Sequence, residues 1–332
     1  MAQKKNVTLK DIAEDTNYSV TTISHVINKT RHVDQETRKA VLESIKRLGY
    51  KVTATQGKRF KNKALTIGMV IADIREEFFA DLIKYTESMA RNMGYNLIIC
   101  DSEQNPEKEL ECISLLLNKG VDGLILAPAD VSQKYPLLKG QNIPVVLVDR
   151  NIETENFDFV GIDNFRSTYE ATKELVKHRA KNIAFIGYSE INYTIKERKA
   201  GYKTAMLEAG LFKEENILQV EYHSSLNNKS IYEFIKSIQA VDGIVCGSTV
   251  ICYEVLGCIK EIFPETADKI RIITYDDNKW YNLMPHKVSA IKTPTVDAAT
   301  VALELLVNKL EAPFTANVPK KILLNYEFIK RF

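Results

Sequence analysis

The chain has 332 residues, 45% hydrophobic and 27% charged. That is enough for two or three packed units, because single cores seldom grow past roughly 100 to 200 residues, and its longest apolar runs, Ile67 to Ala72 and Leu124 to Pro128, fall far short of the ~20 residues of a membrane-spanning helix. The formal net charge of +2 conceals a division near residue 64: residues 1–64 hold 14 Lys/Arg against 6 Asp/Glu, net +8, and the remainder holds 31 against 37, net −6.

A basic head on an acidic body is the footprint of a nucleic-acid-binding module joined to something that is not one. The N-terminus, Met1-Ala2-Gln3-Lys4-Lys5-Asn6, carries no apolar stretch or small-residue cleavage site of a secretory signal, so a cytoplasmic location is expected, with the protein on the nucleoid when bound to DNA. Five cysteines, Cys100, Cys112, Cys246, Cys252 and Cys258, form no close-pair zinc pattern and read as small core hydrophobes.

Thr8 opens the first helix as an N-cap, with Asp11 near the positive end of the helix dipole and Leu9, Ile12 and Ala13 on one apolar face. Thr16-Asn17-Tyr18 ends it, since Asn17 tolerates the left-handed conformation of a tight turn. Ser19 caps a second helix with Ile23, Val26 and Ile27 on its buried side. A third begins after Asp34, carries Val41, Leu42, Ile45 and Leu48 as its apolar residues, and stops at Gly49.

Helix, short turn, helix is the unit that lays its second helix in the DNA major groove. The residues left outward at the start of that helix are Val20, Thr21, Ser24 and His25, suited to a thymine methyl or a base edge. Thr8, Ser19, Thr22, Asn28, His32 and Thr37 supply neutral donors for phosphate oxygens, although capping explains Ser and Thr here equally well.

Thr8-Leu-Lys-Asp-Ile-Ala-Glu through Ser19-Val-Thr-Thr-Ile-Ser-His-Val-Ile-Asn28, then Val33-Asp-Gln-Glu-Thr-Arg-Lys and Leu48-Gly-Tyr50, resembles the head of the lactose/galactose repressor (LacI/GalR) family without gaps. The resemblance extends over essentially the whole chain. It implies a homodimer, with a tetramer left open, reading a pseudo-palindromic operator with one head per half-site; Leu9 and Tyr50 join the candidate DNA-facing residues on this basis. His25 stands where the family usually has arginine, so altered base readout is expected there.

After Tyr50 the family pattern is a Pro-Asn pair and a short hinge helix whose leucine wedges into the minor groove. This chain reads Lys51-Val-Thr-Ala-Thr-Gln-Gly-Lys-Arg59-Phe60-Lys-Asn-Lys63. Gly57 and the β-branched residues weaken a helix, Arg59 falls in the leucine's place, and Phe60 is the nearest apolar wedge. The basic run suits a linker along phosphates, or a solvated tether.

From Leu65 onward, apolar strands (65–72, 96–101, 122–127, 143–148, 158–163, 182–187, 217–222, 241–246, 270–275, 288–292) alternate with amphipathic helices (78–92, 107–118, 166–178, 195–209, 231–239, 252–263). This is the signature of α/β parallel sheets with helices on both faces. The resemblance implies a three-helix helix-turn-helix domain (1–50), a hinge (51–64) and a two-lobed, periplasmic-binding-protein-like body (65–332). Its N-lobe would comprise about 65–162 plus 292–318 and its C-lobe about 163–291 plus 319–330.

Ligands bind beyond the carboxyl ends of strands in such sheets. The candidates there are Asp73, Glu76, Phe78 and Phe79 after the first strand, Asp149 and Arg150 after the fourth, Ser248 after the eighth, and Asp276 and Trp280 after the ninth. Arg198 and Asp276 occupy the family's ligand-contacting arginine and aspartate positions. Strand-end carboxylates can equally cap the next helix, and the two phenylalanines can be core. Gly247-Ser248 replaces the family's common Asn-Asp, and Glu76-Glu77 its Asn-Pro. The surplus of carboxylates favours a neutral polyol or sugar effector, with an amine-bearing ligand second, over a phosphorylated one.

An enzyme on a doubly wound fold is the competing class. No Gly-x-Gly-x-x-Gly loop, Walker-type Gly-rich loop or Gly-x-Ser-x-Gly elbow occurs, and the five histidines show no metal-ligand spacing. Neither catalysis, a cofactor nor a metal is expected. A binding protein that only transports its ligand is disfavoured by the basic head.

Overall fold

The computed structural model describes residues 9–19, 22–23, 26, 34–48, 65–138, 143–152, 154, 156–189, 192–222, 224–311 and 318–332, in two compact units, Met1–Lys63 and Ala64–Phe332.

In the first unit, α1 (Leu9–Thr16) and α2 (Gln35–Leu48) flank the helical residues Thr22, Ile23 and Val26. Asn17 has φ 56°, the left-handed turn that ends α1. The backbone N–H of Thr22 donates to Ser19 Oγ (3.1 Å) and that of Thr37 to Asp34 Oδ1 (2.8 Å), so the caps expected at Ser19 and Asp34 form. Ile12, Ile23, Val26, Val41 and Ile45 make the core, with Ala13, Tyr18 and Leu48 against it. Leu42 is a correction: it is 49% exposed, because Val41, Ile45 and Leu48 at i, i+4 and i+7 claim the inner face and turn the next residue outward. Asp15 ties α1 to α2 by accepting from Ser44 and Arg47.

The second unit holds two six-stranded sheets. The first is built from β1 (Thr66–Ile71), β2 (Asn96–Asp101), β3 (Gly123–Leu126), β4 (Val145–Val148), β5 (Asp158–Ile162) and the late strand β11 (Lys321–Leu324), in the order β11-β5-β4-β3-β1-β2, all parallel. Strands β1, β3, β4 and β5 are buried almost throughout, as strands of a sheet covered on both faces must be. Ile67, Met69 and Ile71 face α3 (Glu77–Asn92) and α9 (Thr295–Glu311), while Val70 faces α4 (Pro106–Asn118) across the sheet.

The second sheet repeats the plan. Its members are β6 (Ile183–Tyr188), β7 (Ile217–Val220), β8 (Gly243–Cys246), β9 (Arg271–Tyr275), β10 (Val288–Lys292) and β12 (Glu327–Ile329), ordered β12-β10-β9-β8-β6-β7. Only β12 is antiparallel. Helices α5 (Asn164–Lys177) and α6 (Tyr193–Glu208) cover one face and α7 (Asn227–Ser237) and α8 (Thr249–Ile262) the other.

The chain passes between the lobes three times, after β5, after β10 and between β11 and β12. The placement of 319–330 in the C-lobe is therefore corrected: Lys321–Leu324 pairs with Phe159–Ile162 of the first sheet, and only β12 returns to the second. These strands of four and three residues, and α9, are additional to the elements read from the sequence pattern.

Candidate effector site

Both sheets end at one cleft, where about 390 Å³ of space includes open solvent. Glu76, Phe78, Asp149 and Arg150 line it from the first lobe, Arg198, Ser248 and Asp276 from the second. Asp149 follows β4 and Asp276 follows β9, the fourth strand of each sheet counted from β2 and β7. Both residues adopt left-handed backbone, φ 64° and 60°. Aspartate tolerates this conformation, and at an uncommon φ/ψ the surrounding fold must hold it.

Arg198 projects from α6. Its Nε donates to Asn164 Oδ1 (2.8 Å) and its Nη1 to the Gly247 carbonyl (2.8 Å), and its guanidinium lies 3.3 Å from the centre of the Tyr275 ring. The Tyr275 hydroxyl shares hydrogen bonds with Ser167 and Thr168 on α5. Arg150, 3% exposed, donates from Nη1 to Gln104 Oε1 (2.6 Å) and the Pro128 carbonyl (3.3 Å), lies above Phe79, and keeps a buried Nε without a hydrogen-bond partner. Gln104 Nε2 in turn donates to Glu76 Oε1 (3.1 Å).

Three candidates stand outside the lining. Asp73 is held in a fork by Arg75 (2.9 and 2.6 Å). Phe79 is core at 1% exposure. Trp280 donates to the Tyr253 hydroxyl and packs on Tyr253 and Tyr281. Conversely, Asn192, Thr194, Ile195, Tyr222 and Thr293 line the cavity without having been singled out. Tyr222 and Thr293 lie just past β7 and β10, where the strand-end rule points. Asn192 is the N-cap of α6, its Oδ1 accepting from the Thr194 and Ile195 amides. Ser248 caps α8 through the Ile251 amide (3.4 Å).

Burial pushes Glu76 up to about 7, opposed by Arg150 and reinforced by Asp276, Asp73 and Asp149. Burial likewise lifts Asp276 to about 6, against Arg198 and with Asp149, while the Thr293 hydroxyl lowers it. Asp149 is raised by burial and lowered by Arg150 and Arg198. Desolvation of crowded carboxylates outweighs two arginines.

Behind the cavity, Glu109 is fully buried; its carboxyl accepts from the Tyr135 hydroxyl (2.8 Å) and the Ala129 amide (2.7 Å), and burial pushes it up to about 7. A carboxyl raised on folding binds its proton more tightly in the native state. Its stabilising contribution is complete below about 4.5 and is lost as pH rises to about 7. Glu109→Gln keeps the shape, with its oxygen accepting from the Ala129 amide and its NH2 donating to the Tyr135 hydroxyl as a protonated carboxyl would, so the body should lose on the order of 2 kcal/mol less stability between pH 4.5 and 8 than the parent. Urea midpoints at the two pH values read this, and an unchanged pH slope would remove Glu109 as its source.

In the head, Ser19 and Thr22 are engaged in capping, their hydroxyls 2.8 Å apart, and Thr37 is buried. Thr8, the Leu9 side chain, Val20, Thr21, Ser24, His25, Asn28, His32, Tyr50, Arg59, Phe60 and the hinge lie outside the described residues. Among the described residues no group of three or more His, Cys, Asp or Glu could hold a metal ion, and no helix is long and apolar enough to cross a membrane.

Comparison with known proteins agrees with both units. Residues 8–52 match the model of bacterial regulatory proteins of the lacI family. Residues 64–257 match that of periplasmic binding proteins and the sugar binding domain of the LacI family. The chain is 30% identical over 304 residues to catabolite control protein A of Priestia megaterium, covering 91% of this chain and 92% of that one. It is 32% identical over 276 residues to the HTH-type transcriptional repressor PurR of Histophilus somni, covering 81% and 82%. The lac repressor dimer bound to operator and the anti-inducer ONPF shares its fold, with TM-score 0.71 at 18% identity over 98% of each chain. The family models span most of the chain, and the protein belongs to the LacI family of bacterial DNA-binding transcriptional regulators.

Proposed function

We propose that this protein is a repressor controlled by a sugar-class effector bound between its lobes, acting as a homodimer on a pseudo-palindromic operator. The observation that carries this reading is that polar groups of both lobes, Asp149 and Arg150 on one side and Arg198 and Asp276 on the other, converge on a single cavity. A molecule touching both favours one inter-lobe angle, and any change this makes to the spacing of two heads must change DNA affinity reciprocally. Base readout falls to Val20, Thr21 and His25, with Ser24 beside them. Thr8, Asn28 and His32 donate to phosphates, Ser19 and Thr22 do so beside their capping bonds, Leu9 and Tyr50 face the DNA, and the basic hinge with Arg59 and Phe60 runs along the phosphates.

Selection of binding sites from random duplex DNA by the full-length protein tests this. It should recover a palindrome, and the effector should shift affinity for it by roughly 5- to 150-fold. Asp276→Asn should remove most of that shift and leave DNA binding without effector intact. A non-palindromic site, or an Asp276→Asn protein that responds like the parent, would overturn the reading.

A further inference from the structure

We propose that the effector of this cavity is a sugar carrying a protonated amine, the ammonium group lying among Glu76, Asp149 and Asp276. This rests on the regulator reading above and narrows its ligand class.

The charges that face one another here are unequal. Glu76 is acted on by Asp73, Asp149, Asp276 and Arg150, and Asp276 by Asp149, Glu77 and Arg198. Asp73 is forked by Arg75. That sets Glu76, Asp149 and Asp276, the three carboxylates lining the cavity, against Arg150 and Arg198. Both arginines already donate twice to neutral acceptors, Arg150 to Gln104 and Pro128, Arg198 to Asn164 and Gly247. The cationic guanidinium nearest Asp149 stands 3.6 Å away, beyond hydrogen-bond range. Excess buried negative charge needs a cation or a proton.

The helix-end donors that would receive an anion are partly engaged: Asn192 takes the Thr194 and Ile195 amides of α6 and Ser248 takes the Ile251 amide of α8, which leaves fewer of them for a phosphate. Arg150 Nε makes no hydrogen bond, its ion pair with Asp149 Oδ2 standing at 3.6 Å, and a ligand hydroxyl oxygen fits it. Tyr222, stacked on Tyr188 at 3.8 Å between centroids, and Phe78 offer ring faces to the apolar side of a pyranose. Thr194 and Ser248 add hydroxyls for its remaining groups. The equivalent placement of Asp149 and Asp276 puts one carboxylate from each lobe on the ammonium, so the amine itself would draw the lobes together.

The test uses the full-length protein at pH 7 with D-glucosamine, D-galactosamine and D-mannosamine, each beside its hydroxyl and N-acetyl counterparts, and with glucosamine 6-phosphate. One amino sugar should bind about tenfold or more tightly than both counterparts, the difference between charge-assisted and neutral hydrogen bonds. Calorimetry in phosphate and in HEPES should report proton release, because the ammonium displaces the proton that burial retains in part on Glu76. Glu76→Gln should narrow the amine-to-hydroxyl ratio. Equal or tighter binding of a hydroxyl or N-acetyl sugar, tightest binding of the phosphate, or no binding by any amino sugar overturns the proposal. If a neutral sugar binds and shifts operator affinity, the amine fails while the regulator reading stands. If operator is bound and no sugar of any kind shifts it, the sugar class fails as well.

Discussion

Gly201→Ala is expected to destabilise the body by about 3 kcal/mol and to weaken effector binding with it. Helices α5 and α6 cross where Gly201 sits: a Cβ there would lie 2.2 Å from the Phe165 carbonyl oxygen and 3.0 Å from the Tyr169 amide nitrogen. Both atoms are backbone, so no side chain can swing away and the helices must separate, the costly form of overpacking. Arg198 lies just before Gly201 in α6, and its partner Asn164 opens α5. Separation therefore breaks the 2.8 Å bond that aims the guanidinium. Gly257→Ala in α8 is the matched control. Nothing lies within 4 Å of its added Cβ, and a helical glycine replaced by alanine there should gain roughly 0.5–1 kcal/mol. Urea unfolding of the two variants should move in opposite directions. A Gly201→Ala protein as stable as the parent would mean the helices do not approach this closely.

The legible parts of this fold were those where one periodicity dominates. The ten expected strands are apolar runs, sealed on both faces except at the edges β2 and β7, and their observed bounds fall within two residues of the expected ones. Strands β11 and β12 escape because each is short and alternates in exposure only weakly, and pairing with β5 and β10 decides them. Leu42 escapes because helical phase is a property of the whole core: once Ile12, Ile23 and Val26 fill it, three α2 residues suffice.

In the site, Asp149, Arg198 and Asp276 were reachable from strand ends and family positions. Asn192 and Thr194 were not, because a capping residue and a lining residue are the same side chain there. Phe78 and Phe79 show the limit of sequence most plainly. They are adjacent and equally apolar and both are buried in one cluster, yet only Phe78 also borders the cavity, while Phe79 lies under Arg150. Similarly, nothing in Asp73-Ile-Arg75 reveals that the arginine folds back on the aspartate and withdraws it from the lining.

Lys309→Met is expected to cost about 3–5 kcal/mol, the penalty for stripping one partner from a buried ion pair. Asp158 opens β5 and is wholly buried; one carboxyl oxygen lies 2.6 Å from Lys309 Nζ on α9, and the other accepts from the Lys320 amide (2.8 Å) just before β11. One carboxylate thus joins the outbound strand, the returning helix and the returning strand, at the ends of these segments remote from the passages between lobes. Without the ammonium it retains a single amide donor. Adding Asp158→Asn should restore much of the loss, since a neutral amide can still accept from Lys320. Asp158→Asn alone should also destabilise, by leaving the lysine without its carboxylate partner. The double-variant cycle in urea measures the coupling directly. A loss below about 1 kcal/mol for Lys309→Met, the scale of a solvent-exposed pair, would show that water reaches Asp158 and that the strands and helix are not anchored there.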